Sequence, residues 1–428
     1  MSVKVLCTGD LHLGRSSARA AGDAEPAAVS TTAAWHRVVQ TAIAQQVSLV
    51  CLTGDVADES NRFWEAIGPL EQGIGQLAEH DITTLAVAGN HDFEVLPRLA
   101  DQLAPEHFRL LGRGGQWERA TVELRGQRVA VAGWSFPDRY VATSPITADA
   151  IEPFTDGPLL ALLHGDLDDS KSPYAPLDRA VMRQAPVDGW LLGHIHAPGE
   201  AHAHQEPVML YPGSPQALDP GEPGVHGPWI LELSSRGIDH LWQVPMSGVR
   251  YERVGIDLTG VDEASELESH LLAQLDQTAR AMIQESGTAL KHLCLRVALK
   301  GKTALAPQLR SLVGNLGDLA RPIDDTQLTI ERVEIEATPP IDLHAHGRRD
   351  DPPGALARLI LALEQSEPTA EAQALIERTR RELQATASKR DYLPLRDTNG
   401  PTVDEPTARH YLHREAHQLL NELLSQAG

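Results

Sequence analysis

The chain of 428 residues carries 59 acidic against 37 basic side chains, a formal net charge of −22, with 42% hydrophobic and 22% charged residues. This is the composition of a globular protein of roughly two or three domains; it excludes a largely disordered chain and argues against broad, non-specific adhesion to nucleic acid. Phosphate binding through divalent cations remains compatible with it, because the ions carry the positive charge. Aromatic residues are only 4%, so no base-stacking platform stands out. No apolar run approaches the ~18 residues of a membrane span, which argues against a membrane partner. The N-terminus enters a strand pattern with no signal-peptide core, so a cytoplasmic location is expected. Cys7, Cys51 and Cys294 lie far apart and form neither a disulfide framework nor a zinc knuckle; Cys7 and Cys51 read as small buried apolar groups.

Short runs that are apolar throughout mark strands buried on both faces. They fall at residues 3–7, 49–52, 84–88, 129–132, 159–163, 190–192 and 208–210, with further strands at 229–233 and 240–244. A helix is predicted over 31–45 behind the capping signal Ser30-Thr31-Thr32, and another over 63–80 with a kink or break implied by Pro69, Gly73 and Gly75. Strands alternating with helices indicate a layered α/β domain over residues 1–245. From 246 to 338 the order strand (250–257), helix (263–284), strand (291–299), helix (304–319), strand (327–337) suggests a small α+β domain. The remainder, 339–428, reads as charged helices at 354–367, 369–387 and 406–426, with Asp350-Asp351-Pro352-Pro353 as a hinge. In the last helix Leu412, Ala416, Leu419, Leu420, Leu423 and Leu424 share one face, which suits packing on the protein itself or a partner's helices.

Five polar motifs each close an apolar run: Asp10-Leu11-His12, Gly54-Asp55-Val56-Ala57-Asp58, Gly89-Asn90-His91-Asp92, His164-Gly165-Asp166 and Gly193-His194-Ile195-His196. Functional groups of open α/β sheets collect at the carboxyl ends of strands, so five such clusters can converge on one edge. Imidazole, carboxylate and amide oxygen together suit Mn²⁺, Fe²⁺ or Zn²⁺. In D-x-H and H-x-H both ligands fall on one side of an extended segment. Asp10, His12, Asp55, Asn90, His164, His194 and His196 would fill two sites, with Asp55 able to bridge, and two such ions stabilise the attacking and leaving oxygens of a phosphoryl transfer. His202 and His204 repeat the spacing in a loop and are left outside the site.

With these motifs the sequence resembles the calcineurin-like metallophosphoesterases, and within them the bacterial double-strand-break-repair nucleases of the SbcD and YhaO type. Tyr211-Pro212-Gly213-Ser214-Pro215-Gln216 and Asp219-Pro220-Gly221-Glu222, with Gly224 and Trp229, carry the likeness to that branch. The resemblance implies a four-layer metallophosphoesterase β-sandwich flanked by helices, a small α+β capping domain and C-terminal helices that dock a partner ATPase. It implies one ion on Asp10, His12, Asp55 and His196 and a second on Asp55, Asn90, His164 and His194, with manganese foremost and iron, zinc or magnesium as alternatives. His91 would protonate the leaving oxygen or stabilise charge on the phosphoryl group, and Asp58 would orient His91, its carboxylate favouring the charged imidazole. Asp92 is expected to brace its turn and Asp166 to anchor its loop. The implied function is DNA exo- or endonuclease action in double-strand-break repair with an SbcC-type coiled-coil ATPase; a homodimer stays open. The alternative is a small-molecule phosphodiesterase or phosphatase with the same core. Arg15 and Arg19, after the first motif, could meet substrate. Residues 98–139, with seven arginines against five acids, could track a phosphate backbone or form an ordinary charged surface. No phosphate-binding G-x-x-x-x-G-K-[ST] loop is present, so ATP would fall to another chain.

Overall fold

The computed structural model describes residues 2–15, 29–58, 63–147, 149–199, 207–387 and 403–426. His202, His204 and Arg19 lie outside the described residues. The chain divides into two compact units, Met1–Arg253 with Thr278–Leu295 and Ala320–Thr329, and Val254–Gln277 with Arg296–Leu319 and Ile330–Gly428.

The first unit is built on alternating strands and helices. β1 (Val3–Thr8), α1 (Thr31–Ala44), β2 (Leu49–Leu52), α2 (Phe63–Ala78), β3 (Thr83–Ala86), α3 (Val95–Ala100) and β4 (Phe108–Leu110) follow one another, then β5 (Glu118–Leu124), β6 (Gln127–Trp134), β7 (Leu159–His164), α4 (Arg179–Met182), β8 (Gly189–Gly193), β9 (Val208–Leu210), β10 (Trp229–Ser234) and β11 (Gly237–Gln243). Two sheets result, ordered β11-β10-β1-β2-β3-β4 and β5-β6-β7-β8-β9. β1 to β4 pair in parallel, as do β6 to β9. Alternation along β1 separates two cores. Leu6 joins Trp35, Val38, Leu70 and Ile74 of α1 and α2, whereas Val3, Val5 and Cys7 meet Val129, Val131, Leu160 and Leu162 of the other sheet. The second sheet's far face, with Ala161, Leu163 and Trp190, packs against Ile146, Ile151 and Met182. The architecture is therefore the expected four-layer α/β sandwich. Its parallel strands bring the ends of β1, β2, β3, β7 and β8 to one edge.

Several local expectations change. α2 is continuous from Phe63 to Ala78 with Pro69 inside it. Trp35 of α1 packs against this stretch: its Nε1 donates to the Pro69 carbonyl at 2.9 Å, and the indole fills the place of a Gly73 side chain, whose Cβ would lie 2.3 Å from Nε1. β4 and β5 have no counterpart in the apolar runs, because β4 is three residues long and β5 alternates buried with exposed positions.

The four-stranded sheet, ordered β12-β13-β15-β14, comprises β12 (Val249–Asp257), β13 (His292–Lys300), β14 (Ala320–Ile323) and β15 (Thr326–Ile335), with α5 (Ala264–Ser286) between its first two strands. The helix expected over 304–319 is instead the single turn α6 (Leu309–Leu312) between two 3₁₀ turns. Pro307 lacks an N–H and Gly314 and Gly317 are poor helix formers, so a continuous helix fails there.

In the second unit the C-terminal helices are α7 (Leu343–Gly347), α8 (Pro352–Glu364), α9 (Ala370–Ala387) and α10 (Glu405–Gln426). The expected hinge at 350–353 is a helix start: Asp351 accepts from the Gly354 N–H at 2.9 Å, and the two prolines occupy the first positions, where no N–H is needed. On α10, Ala416 and Leu420 pack with Ala357 and Ile360 of α8, and Leu412 joins Ile376 of α9, so most of the apolar face is used within the unit; Leu419 stays 47% exposed. No described helix is long and apolar enough to cross a membrane.

Candidate metal centre

The loops that follow β1 and β2 clasp each other. Asp10 N–H donates to the Gly54 carbonyl at 3.0 Å, His12 N–H to the Asp55 carbonyl at 2.9 Å and Leu13 N–H to the Val56 carbonyl at 2.9 Å. This clasp holds Asp10 (φ 49°), His12 (φ 45°) and Asp55 (φ 48°) in the left-handed region; His194 (φ 102°) joins them after β8. Side-chain-bearing residues there cost of order 1–3 kcal/mol each, so the backbone is bent to aim these groups. Gly89 is required for close approach, since a Cβ there would lie 2.2 Å from Asp55 Oδ1. Asp92, fully buried, accepts from the Gly89 N–H at 2.7 Å and from the Val56 and Ala57 N–H groups at 2.6 and 3.3 Å, which ties the β3 loop to the β2 loop.

All seven expected ligands meet. His12 Nε2 and His196 Nε2 are 3.0 Å apart, and one ligand atom each of Asp10, His12 and His196 lies within 4.8 Å of the others. Asp10, Asp55 and His164 form a second such group. His164 Nε2 is 3.4 Å from Asp55 Oδ2 and 3.1 Å from Asn90 Oδ1, and His194 Nδ1 is 3.2 Å from the same amide oxygen. Tautomers follow from partners that can only accept. His164 Nδ1–H donates to the Thr53 carbonyl at 3.1 Å and His196 Nδ1–H to Glu222 Oε1 at 2.6 Å, so Nε2 is the nitrogen that each ring turns inward. Imidazole nitrogens, carboxylates and an amide oxygen thus face one another in a buried place, an arrangement that demands positive charge between them, from protons or from cations. The donor set fits a pair of divalent transition ions.

The electrostatics carry the same demand. Burial alone would push the Asp55 carboxyl up, but His164, His12 and His91 outweigh it and hold it well below the usual carboxylate range. Against the burial that opposes it, Asp55 raises His164 to about 9. For Asp92 burial wins, and its carboxyl is pushed up to about 7.

His91 and Asp58 are joined differently from the expectation. His91 Nδ1–H donates to the backbone carbonyl of Asp58 at 2.8 Å, while the Asp58 carboxylate lies 3.2 Å from His12 Nδ1. The main chain turns the carbonyl, not the carboxylate, toward the ring. Burial then holds His91 below its ordinary value, with Asp55 opposing it, so the favoured charged form is not what this geometry supports. Arg15 is half-buried, with its carbonyl accepting from Thr31 Oγ1 at 2.8 Å, and its charge helps to lower Asp58. The arginines of 98–139 are largely engaged: Arg109 pairs with Glu118, Arg113 with Asp101, Arg119 with Glu152 and Arg128 with Asp156. They leave little of that stretch free to follow a phosphate backbone.

The contacts of two carboxylates with site histidines escaped the sequence reading. Glu222 holds His196 and also accepts from the Leu218 N–H at 2.7 Å. Asp166, expected only to anchor its loop, places Oδ1 3.3 Å from His194 Nε2 and takes a short hydrogen bond from Ser172 Oγ. A histidine that ligates through one nitrogen needs an acceptor for the other, and that need is the signal that could have found both. Tyr174 lies 5.0 Å from the His194 ring at a tilt of 40°, and Tyr140 lies 5.8 Å beyond it, extending an aromatic run outward.

Residues 3–198 match the family of calcineurin-like phosphoesterases, and residues 251–338 match the middle domain of the metallophosphoesterase YhaO. The chain is similar to the uncharacterized metallophosphoesterase YhaO of Bacillus subtilis (strain 168), 26% identical over 311 residues that make up 71% of this chain and 72% of the relative. Among solved structures it is similar to TT1561 of Thermus thermophilus, at 13% identity and a TM-score of 0.35, over 57% of this chain and 99% of that one. It is also similar to the calcineurin-like phosphoesterase YfkN from Bacillus subtilis, at 12% identity and a TM-score of 0.35, over 57% and 90% of the two chains.

Proposed function

We propose that this chain, whose residues 3–198 match the calcineurin-like phosphoesterases, hydrolyses phosphodiester bonds of DNA. Exo- or endonuclease action in double-strand-break repair, a cytoplasmic setting and an SbcC-type ATPase as partner complete the reading. The observation that supports DNA over a small ester is the aromatic run at the mouth of the site. Tyr140 is 58% exposed and stacks toward Tyr174, which in turn meets His194. Exposed rings beside a phosphate-cleaving centre suit nucleobases, each stack contributing roughly 1–3 kcal/mol. The match of residues 251–338 to the YhaO middle domain supports the same branch.

Asp10, His12, Asp55 and His196 would hold one divalent ion and Asp55, Asn90, His164 and His194 a second, manganese being our choice. When bound, the pair supplies positive charge to the phosphoryl oxygens and lowers the pKa of the attacking water. The protein's own groups do the rest. Glu222 and Asp166 fix the His196 and His194 rings. His91, with Nδ1–H committed to the Asp58 carbonyl, presents Nε2 to the leaving oxygen. A phosphate beside that ring raises its proton affinity against the effect of burial, so the imidazolium can donate to the departing alkoxide. Arg15, near Asp58, adds charge on the substrate side.

The test compares linear DNA with a small bis-phosphoester, each with Mn²⁺ and with Mg²⁺, for wild type and Tyr140→Ala. Both substrates are expected to be cleaved with Mn²⁺, and the substitution to lower DNA cleavage roughly 10-fold more than ester hydrolysis. Ester hydrolysis with no DNA cleavage, even beside a partner ATPase, would replace this reading with a small-molecule phosphodiesterase.

A further inference from the structure

Apart from the strand-end cluster, a second group of metal-type ligands lies in the C-terminal helices. Glu364 ends α8, and His413 and His417 lie one turn apart on α10, a spacing that sets both imidazoles on one helical face. One ligand atom from each of the three lies within 4.8 Å of the others. His413 Nε2 is 3.3 Å from Glu364 Oε1, and the two imidazoles meet edge to face with centroids 4.6 Å apart. His417 is only 6% exposed, yet its Nδ1 has no hydrogen-bond partner. A buried polar atom left without a partner is destabilising, and a bound cation is one way to satisfy the ring. Of the cations nearby, Arg409 is already engaged, its Nε donating to the Leu363 carbonyl at 2.7 Å and its Nη2 to the Gln365 carbonyl at 2.5 Å, and Lys302 also lies close enough for its charge to act on His417. A cavity of about 520 Å³, lined by Glu364, Arg409, His410 and His413 among others, gives an ion and its waters a way in.

We propose that Glu364, His413 and His417 form a binding site for a divalent transition ion of the zinc class. Two imidazoles and one carboxylate are the donors such an ion takes, and water completes the coordination. The ion ties the end of α8 to the middle of α10, residues 49 apart in the chain, and so fastens the helices on which a partner would dock. This inference is independent of the DNA reading.

The test counts metal in the full chain. Wild type and the double variant Glu364→Gln/His413→Asn are loaded with Zn²⁺, desalted and analysed for bound metal; Co²⁺ titration followed by its visible absorption reports ligation directly. The double variant is expected to hold one equivalent fewer than wild type, to lose part of the Co²⁺ absorption, and to hydrolyse a bis-phosphoester at the wild-type rate. Glu364→Gln alone, at an exposed position, is expected to weaken that one equivalent at least about 10-fold while leaving the circular dichroism in EDTA unchanged. Equal metal content in wild type and double variant, or an unchanged affinity in Glu364→Gln, would overturn the proposal.

Discussion

The strand-end loops and the C-terminal helices both gather metal-type side chains, but they do so by different means. In the loops each ligand is announced locally: an apolar run ends and a histidine, aspartate or asparagine follows, with the backbone in the left-handed region at Asp10, His12, Asp55 and His194. In the helices His413 and His417 look like any polar pair four residues apart, and Glu364 joins them only because α8 packs on α10. A site whose ligands sit at strand ends is written into short motifs. A site across two helices exists only once the helices are paired.

The contrast can be broken at several points. The largest effect is expected at His91→Ala, which should keep bound metal while lowering phosphoester turnover roughly 100- to 10,000-fold. Steady-state kinetics beside elemental analysis checks it, and an unchanged rate would remove His91 from the chemistry. In the helices the effect should fall on folding instead. Leu420→Ala, at a fully buried position, should cost about 2–5 kcal/mol in urea unfolding, while Leu419→Ala, 47% exposed, should stay within about 0.5 kcal/mol. Glu222→Gln leaves the fold and removes the charge that holds His196, so metal affinity by calorimetric titration should drop about 10- to 100-fold. The smallest effect concerns pH. Burial holds the His226 imidazole below its ordinary 6.5, so the folded chain takes up this proton only at a lower pH than the unfolded chain. Its contribution to stability is therefore complete above pH 6.5 and is lost as the pH falls below it. Unfolding midpoints measured across that window should fall less steeply for His226→Gln than for wild type.

Much of this is legible in the sequence. The apolar runs located most strands of both large sheets, because strands buried on both faces have no polar alternation to blur them. The seven expected ligands converge because parallel strands deliver their ends to one edge. What escaped did so for physical reasons. β5 alternates like a surface segment. Pro69 suggests a break, yet α2 runs through it. Pro352 and Pro353 looked like a hinge although Asp351 caps a helix there. The sequence pairs the Asp58 carboxylate with His91, yet it is the main-chain carbonyl that reaches the ring. Glu222 and Asp166 act on histidines far away in sequence, and only folding reveals which nitrogen each one meets.

The central claim is that Asp55 stands between two cations. Anomalous diffraction at the manganese edge, from crystals grown with Mn²⁺, tests it most directly. The account predicts two peaks about 3.5–4 Å apart flanking the Asp55 carboxylate, one beside His12 and His196 and the other beside Asn90, His164 and His194. A single peak there, or none, would contradict it.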